Sequence, residues 1–433
     1  MLSRISQPAL CSQAEEVRGY TLGAPTTSSS VSKRVRLTTI GLIIFCQSFQ
    51  ALSFGGIALF LPLIRKDLGL SFTQAGTLSA ASTLVYALMQ IPSGYLADRL
   101  GPRRLFFVGV LGSTILSFTF GLATDYWQAL ANQTVAGFFR ALLFVPGISL
   151  LTSWFPPNRR ATAMGLYTAG GFSGNVLLDL VGPWMVTSFG WRFPFLTFSS
   201  VGIVASFIFL RYGREAAGRS AGQQVQLSDA LALFRYPTML VCGVIQYVRL
   251  SVVSGIQYWL PTLLVEEKGL SLAVVGLIVA LRAALTAPSN TLGGYVSDRL
   301  KNPTLVIGVS LVVLAVTTGL FVVIESLPLL ILVISVNAVF VQLYFGPLFS
   351  VPVEILGMRT AGTSTGFSNF FANLGAFSFV YLLGALKDMT GSFQAGFLAI
   401  VGACVVGLLF TVVLAGMRRQ ALARQDSDAG ATG

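Results

Sequence analysis

The chain has 433 residues, of which 54% are hydrophobic and only 10% are charged, so its composition excludes an ordinary soluble globular protein. It contains no histidine and no P-loop sequence, which excludes histidine metal sites, histidine-based catalysis and an ATPase of the Walker type. The formal charge of +12 is spread over short connections between apolar runs, which indicates orientation in a membrane rather than nucleic-acid binding.

Taken in chain order, the sequence consists of a polar tail, two sets of six apolar runs and a polar connection between them. Residues 1–36 are rich in Ser and Thr and lack a signal-peptide core, so we expect a cytoplasmic N-terminal tail. The first set of runs is 37–62, 72–97, 105–124, 127–155, 161–187 and 193–210. The second set is 237–263, 272–297, 303–324, 327–355, 361–385 and 393–416. Residues 212–236 are predicted to be a cytoplasmic linker, and 417–433 a cytoplasmic C-terminal tail.

The apolar runs set the expected fold class. Each is long enough to cross a hydrocarbon core of roughly 30 Å as a helix. We therefore predict an all-α membrane protein with twelve transmembrane helices in two pseudo-symmetric six-helix bundles, 37–211 and 237–416. Most of the 28 Lys and Arg residues fall on the side that holds the linker, which predicts that both termini are cytoplasmic. A multi-pass location in a cell membrane, the bacterial inner membrane above all, is expected.

A charged turn motif occurs once in each half, after its second apolar run. The first copy reads GYLADRLGPRR over Gly94–Arg104, and the second reads GYVSDRL over Gly294–Leu300. Here the sequence resembles the major facilitator superfamily, whose loop between helices two and three reads G-x-x-x-D-R-x-G-x-R-R. The positions that fit are Gly94, Asp98, Arg99, Gly101, Arg103, Arg104, Gly294, Asp298 and Arg299.

The resemblance implies that this motif is a conformational gate. In the family its aspartate meets the positive N-terminal end of a helix in the other half, and its arginine meets an acid. Arg299 has a candidate partner in Glu354, at the inner end of the tenth run. The corresponding stretch of the first half, WFPPNRR, offers no acid to Arg99, so a symmetric pair of locks is not expected.

Four ionisable residues lie deep within apolar runs, where charge is costly and functional roles are common: Arg140, Asp179, Arg249 and Arg282. Arg140 is expected either to handle substrate or protons, or to bond to carbonyls of a neighbouring helix. Arg282 is expected to bind substrate, to extend outward or to pair with an acid. Asp179, the one acid deep within the runs, is a proton carrier or a member of an ion pair.

Polar stripes on the first and seventh runs give the strongest site prediction. Gln47 and Gln50 on one run match Gln246 and Arg249 on the other, each pair with i, i+3 spacing. In the family these two helices line the central cavity, so the resemblance implies that the stripes face each other and that Arg249 contacts the ligand. Asn369 and Asn373 are further candidates, either for the substrate or for contacts between helices.

Internal symmetry, a polar midplane and the lack of an ATPase sequence together indicate secondary transport by alternating access. Three buried arginines against one aspartate favour an anion, and the pattern resembles the organic-anion-transporting branches of the family. We predict a transporter of a small carboxylate or phosphate ester, proton-coupled or exchanging, that works as a monomer without metal or cofactor. An exporter of hydrophobic or drug-like solutes and a transporter-like sensor remain alternatives; an enzyme is not expected.

Overall fold

The computed structural model describes residues 33–156, 159–216, 235–356 and 361–431, and these fold into helices joined by turns. The predicted N-terminal tail up to residue 32 and most of the predicted linker lie outside the described residues. The helices are α1 (Lys33–Ser48), α2 (Gln50–Asp67), α3 (Phe72–Leu100), α4 (Pro102–Phe120), α5 (Tyr126–Thr152), α6 (Arg160–Phe189), α7 (Arg192–Tyr212), α8 (Pro237–Glu266), α9 (Leu272–Leu300), α10 (Pro303–Val323), α11 (Leu327–Leu343), α12 (Phe345–Leu356), α13 (Ala361–Thr390) and α14 (Gln394–Ala431).

Each predicted apolar run coincides with one helix or, in two cases, with two consecutive helices. The first run is α1 and α2, which are separated at Phe49, and the tenth is α11 and α12, separated at Tyr344. Pro347 contributes to the second break because it has no N–H to donate to the carbonyl of Leu343. Within the described residues, nine helical stretches are long and apolar enough to cross a membrane. The predicted all-α membrane fold is confirmed.

The turns between the first two helical runs of each half are built alike. Gly69 and Gly269 adopt φ angles of 62° and 66°, in the left-handed region that favours glycine. Ser71 then caps α3 by accepting the N–H of Gln74, and Ser271 caps α9 by accepting the N–H of Val274. The repeated Gly-Leu-Ser sequence thus ends one helix and starts the next at equivalent points of the two halves.

Two helix ends extend beyond the apolar runs. α1 begins at Lys33, inside the predicted N-terminal tail, and α14 continues to Ala431, through nearly all of the predicted C-terminal tail. The residues after Met417 are rich in Arg, Gln and Ala, which favour helix without being apolar. Hydropathy therefore predicts the part of α14 that is apolar enough to span a membrane, and helix propensity accounts for its continuation beyond that part.

Three helix pairs carry the main packing between the first six runs and the last six. α3 packs against α13, α6 against α9, and α2 against α8. Two of these contacts depend on glycine, because the backbones approach too closely for a side chain. A Cβ on Gly384 would lie 2.4 Å from the carbonyl oxygen of Phe72, and one on Gly276 would lie 2.3 Å from that of Asp179.

A group of polar contacts joins the two sets of helices at one end of the bundle, the end that holds the loops 68–71 and 267–271. We call this the closed end. Here Arg65 pairs with Glu266 at 2.9 Å, and the Tyr258 hydroxyl donates to the carbonyl of Ala75 at 2.6 Å. At the opposite end, which carries the repeated motif, Arg103 bonds to Leu210, Arg299 to Tyr295 and Arg418 to Lys301, each within its own set of helices.

Candidate substrate-binding site

A cavity of about 110 Å³ lies between the two sets of helices. Its walls come from α2 and α6 on one side and from α8, α9 and α11 on the other. The polar side chains that line it are Asn175, Asp179, Gln257, Arg282, Thr286 and Gln342. Apolar residues complete the wall, so a ligand here would be held by few polar groups in surroundings of low polarity.

Asp179 and Arg282 bring opposite charges into this cavity. Their residues are 4% and 7% exposed, and the two charges interact, yet no ion pair within 4 Å joins them. Within the described structure neither side chain makes a hydrogen bond, and the Nε of Arg282 is fully buried. Isolated buried charges are costly, so both groups are available to a ligand that satisfies them.

Arg249 lies one side chain away from the cavity. Its Nε donates to Oε1 of Gln246 at 2.8 Å, and its Nη1 donates to Oε1 of Gln342, a cavity residue, at 3.4 Å. The guanidinium also lies 4.8 Å from the centre of the Phe345 ring, a cation–π distance. In this conformation Arg249 therefore orients Gln342, and direct ligand contact by Arg249 stays a prediction.

Arg140 occupies a separate place, between α5 and α3. Its Nη1 donates to the hydroxyl of Ser82 at 3.0 Å, and its guanidinium lies 5.5 Å from the centre of the Tyr86 ring. Both partners belong to α3 in the first half, and Arg140 does not line the cavity. These contacts fit the structural alternative, and a role with substrate stays a prediction.

The remaining candidates are dispersed. Gln47 is buried against α6, with Nε2 3.5 Å from the position that a Cβ on Gly171 would take. The side chain of Gln50 lies outside the described residues. Asn373 donates to the backbone carbonyl of Asn369 on its own helix at 2.8 Å. The structure places none of the three described side chains, Gln47, Asn369 and Asn373, among the residues that line the cavity.

The first copy of the turn motif serves local roles in this conformation. Gly101 joins α3 to α4 with a φ of 85°, and Arg103 donates to the carbonyl of Leu210 at 2.5 Å. Arg99 is exposed and lies 5.4 Å from the centre of the Tyr95 ring. Gly94 lies within α3, and the side chain of Asp98 is outside the described residues.

The second copy of the turn motif also makes its described contact within its own helix. Asp298 is exposed, and Arg299 donates to the hydroxyl of Tyr295 one turn earlier at 3.1 Å. The side chain of Glu354, the predicted acid partner, lies outside the described residues. The gate assignment therefore stays a prediction for both copies.

Three polar cavity residues, Gln257, Thr286 and Gln342, were missed because sequence reasoning concentrated on charges and asparagines. A signal for Gln257 was present: it lies eleven positions after Gln246, close to three full helical turns, so both project from the same face of α8. Gln342 is a single amide in an apolar run, and its approach to the cavity depends on packing between α11, α8 and α9.

Comparison with known proteins gives consistent results. The sequence profile of the Major Facilitator Superfamily matches residues 43–380 and 264–430. The D-galactonate transporter of Escherichia coli O6:H1 is 24% identical over 386 residues, which cover 82% of this chain and 89% of that protein. The hexuronate transporter of Bacillus subtilis is 24% identical over 373 residues, covering 81% and 88%.

Among solved structures, a bacterial homolog of the human lysosomal transporter Spinster, in an inward-facing and occupied conformation, matches with a TM-score of 0.74. It is 19% identical, and the match covers 90% of this chain and 98% of that one, which shows a common fold. Because the profile spans well over half of the sequence, the chain belongs to the Major Facilitator Superfamily.

Proposed function

We propose that the protein is a secondary transporter that carries a small organic anion across the membrane by alternating access. The observation that supports this proposal is the buried guanidinium of Arg282, which lines a cavity between the two sets of helices and has no hydrogen-bond partner among the residues that the structure describes. A carboxylate matches the planar fork of an arginine and neutralises its charge in surroundings where an unpaired cation is costly. The relatives named as galactonate and hexuronate transporters support a carboxylate.

The arrangement of contacts supports alternating access. The two sets of helices are joined at the closed end by an ion pair, hydrogen bonds and backbone packing. The cavity contains residues from both sets, so a rocking motion of one set against the other changes its exposure from one end to the other. The bundles 37–211 and 237–416 are the proposed moving bodies. The turn motif with Glu354 is proposed to stabilise the state that is closed at the motif end.

Asp179 is the proposed proton carrier. It is a buried acid on the cavity wall whose charge interacts with that of Arg282. A proton on Asp179 would free Arg282 for an anion, which couples the two binding events without direct contact between proton and substrate. Exchange of one anion for another remains the alternative, since it needs Arg282 but not titration of Asp179.

The proposed setting is the bacterial inner membrane, with both termini in the cytoplasm and the closed end facing outward. The charge distribution supports this orientation, because Lys and Arg concentrate on the side of the motif. The inward-facing conformation of the Spinster homolog is consistent with it. We propose that a single chain is sufficient for transport.

Uptake by purified protein in liposomes tests the proposal. D-galactonate is offered with and without an inward proton gradient, and Arg282→Gln is compared with Arg211→Gln, a matched loss of charge at the exposed end of α7. Loss of the bidentate contact in a dry cavity should weaken binding by about 30-fold or more. Normal uptake by Arg282→Gln at normal expression would refute this assignment.

A further inference from the structure

A second concave region lies outside the cavity between the two sets of helices. It is a groove of about 430 Å³ between α10 and α14, and it shares no lining residue with that cavity. We call it the α10–α14 groove. Four apolar residues of its walls are exposed: Leu305, Val309, Val312 and Val412. Because exposed apolar faces of a membrane protein lie against hydrocarbon, the groove opens toward lipid.

The groove has the depth of one leaflet of a bilayer. Along α10 its lining extends from Asn302 to Val313, and along α14 it extends from Arg419 back to Leu408. Each path is eleven residues long, about 16 Å at the rise of an α-helix. The hydrocarbon core of a bilayer is roughly 30 Å thick, so one leaflet contributes roughly 15 Å. An acyl chain that enters at the polar end can therefore follow the groove to about the midplane.

The polar end of the groove presents hydrogen-bond donors. Asn302 and Arg419 both line it. The amide oxygen of Asn302 already accepts the hydroxyl of Thr304 at 2.9 Å and the N–H of Leu305 at 3.2 Å, so its amide N–H groups are the part left for a ligand. The guanidinium of Arg419 is exposed and makes no hydrogen bond or ion pair with the residues that the structure describes. Since no acid is among the described lining residues, this end suits an anion.

Two further cations lie beside this end. Nη2 of Arg418 donates to the carbonyl of Lys301 at 3.4 Å, which joins α14 to the turn before α10. Lys301 has a φ of 51°, in the left-handed region, at the position that Gly101 occupies in the first copy of the turn. Glycine is favoured at such a position, so the backbone conformation does not account for the lysine. A need for positive charge at this end accounts for it.

Charge and depth together identify the class of molecule that fits the groove. Orientation in the membrane requires positive charge near the end of α14, but it does not require an arginine that lines a groove. A second copy of this chain would bring its own Arg419 to the same end, because copies in one membrane share their orientation, and the cations would repel. A phospholipid with a net negative charge carries its phosphate at the leaflet surface and its apolar chains below, which matches both parts of the groove.

We propose that the α10–α14 groove binds an anionic phospholipid, with its phosphate at Arg419 and Asn302 and one acyl chain along the apolar walls. Basic pockets between transmembrane helices bind the headgroups of anionic lipids in this way. The inference goes beyond the proposed function and does not depend on it, because the groove shares no residue with the substrate cavity. Both walls belong to the second set of helices, so a rocking motion between the two sets leaves the groove intact.

Native mass spectrometry of the purified full chain in detergent tests the proposal, because it resolves each bound lipid. Two lipids with the same acyl chains are compared: dioleoyl phosphatidylglycerol, which is anionic, and dioleoyl phosphatidylcholine, which is zwitterionic. Wild-type protein should bind its first phosphatidylglycerol more tightly than its first phosphatidylcholine. Arg419→Gln should lower this preference about fivefold, the effect of one basic residue at the membrane surface. Arg211→Gln, a matched loss of charge at the exposed end of α7, should keep the wild-type preference.

A second pair of variants tests the place of the acyl chain. A Cβ on Gly308 would lie 3.7 Å from Cδ1 of Leu408, an ordinary contact, so Gly308→Leu adds a side chain to the groove without a clash at its Cβ. Gly319→Leu is the control, because a Cβ there would lie 3.6 Å from Cγ2 of Val401, between the same two helices but outside the groove. Gly308→Leu should weaken phosphatidylglycerol binding severalfold, and Gly319→Leu should leave it unchanged.

Two results would overturn the inference. An unchanged lipid preference in Arg419→Gln would mean that this charge serves orientation alone. Unchanged phosphatidylglycerol binding in Gly308→Leu would mean that the lipid lies elsewhere on the protein. Either result would leave the proposed function intact, since uptake by Arg282→Gln tests that function separately.

Discussion

Arg65 and Glu266 join the two sets of helices through a forked ion pair at the closed end. Nη2 of Arg65 donates to both carboxylate oxygens, at 2.9 and 3.1 Å, and Nε donates to one of them at 3.3 Å. The guanidinium also lies 3.9 Å from the centre of the Phe72 ring. These contacts exist only while the ends of α2 and α8 are together, so they stabilise one conformational state and not the other.

Glu266→Gln should therefore shift the population toward the state that is open at this end. Both side chains are about a quarter exposed, so the pair contributes no more than about 1 kcal/mol and the shift should be a few-fold. Spin-label distances across the closed end would measure it. Asp67→Asn is the control, because Asp67 pairs with Arg192 within the first half. An equal shift in both variants would contradict the assignment.

Asp388 should have a larger effect on the same equilibrium. Its carboxylate, at the end of α13, accepts the N–H groups of Phe72 and Thr73 at 3.0 and 2.6 Å, in the first turn of α3. A carboxylate at a helix N-terminus stabilises it by about 0.5–2 kcal/mol through capping and the helix dipole. Asp388→Asn should raise the accessibility of a cysteine placed at Thr77 to an impermeant thiol reagent by up to about tenfold.

The matched control for Asp388 is Asp125, which caps its own helix, α5, by accepting N–H groups within the first half of the chain. Asp125→Asn should lower thermal stability slightly without changing accessibility at Thr77. If Asp388→Asn left the labelling rate at the wild-type value, the cap would be a local feature of α3 and not part of the gate.

Gly276 should tolerate no side chain while α6 and α9 are packed together. A Cβ there would lie 2.3 Å from the Asp179 carbonyl oxygen and 2.6 Å from Cγ of Pro183, so the two helices must separate. Gly276→Ala should lower substrate affinity severalfold and favour the state open at the closed end. Gly402→Ala, where a Cβ meets nothing within 4 Å, should leave affinity unchanged. Identical binding by the two variants would contradict this prediction.

Sequence reasoning found what is encoded locally and missed what depends on packing. The Gly-Leu-Ser turns and the helix runs follow from residue type and hydropathy, and Asp179 and Arg282 stood out because charge is costly in a membrane. Their meeting in one cavity requires α6 to pack on α9 at Gly276, which no local pattern gives. Arg249 was placed on the correct helix, but its hydrogen bond to Gln342 depends on the position of α11.

Variants of Arg249 distinguish a role in positioning Gln342 from direct ligand binding. If it orients Gln342, Arg249→Gln should weaken substrate binding by about 3- to 10-fold, because one long hydrogen bond from the guanidinium to the amide, at 3.4 Å, is lost. If it contacts the anion in another state, the loss should approach that of Arg282→Gln, and Arg249→Lys should recover part of it. Gln342→Ala added to Arg249→Gln decides the case, since a positioning residue adds nothing once Gln342 is gone.

Asp179→Asn tests proton coupling apart from binding. Asparagine keeps the size of the side chain and removes the group that titrates, so the cavity is fixed in a state equivalent to protonated Asp179. Uptake driven by a proton gradient should fall to the level without a gradient, whereas exchange of labelled for unlabelled substrate should continue. Binding should also lose its pH dependence, because proton uptake no longer accompanies it.

The double variant Asp179→Asn with Arg282→Gln completes this test through the charge balance of the cavity. Removing Arg282 alone leaves the Asp179 carboxylate buried without a counter-charge, which should lower stability, and removing both charges should restore it. Thermal melting of the four proteins measures this coupling directly. Substrate binding should not return in the double variant, since the anion has lost the guanidinium that holds it. Gradient-driven uptake at the wild-type rate by Asp179→Asn would move proton coupling to another residue or favour anion exchange instead.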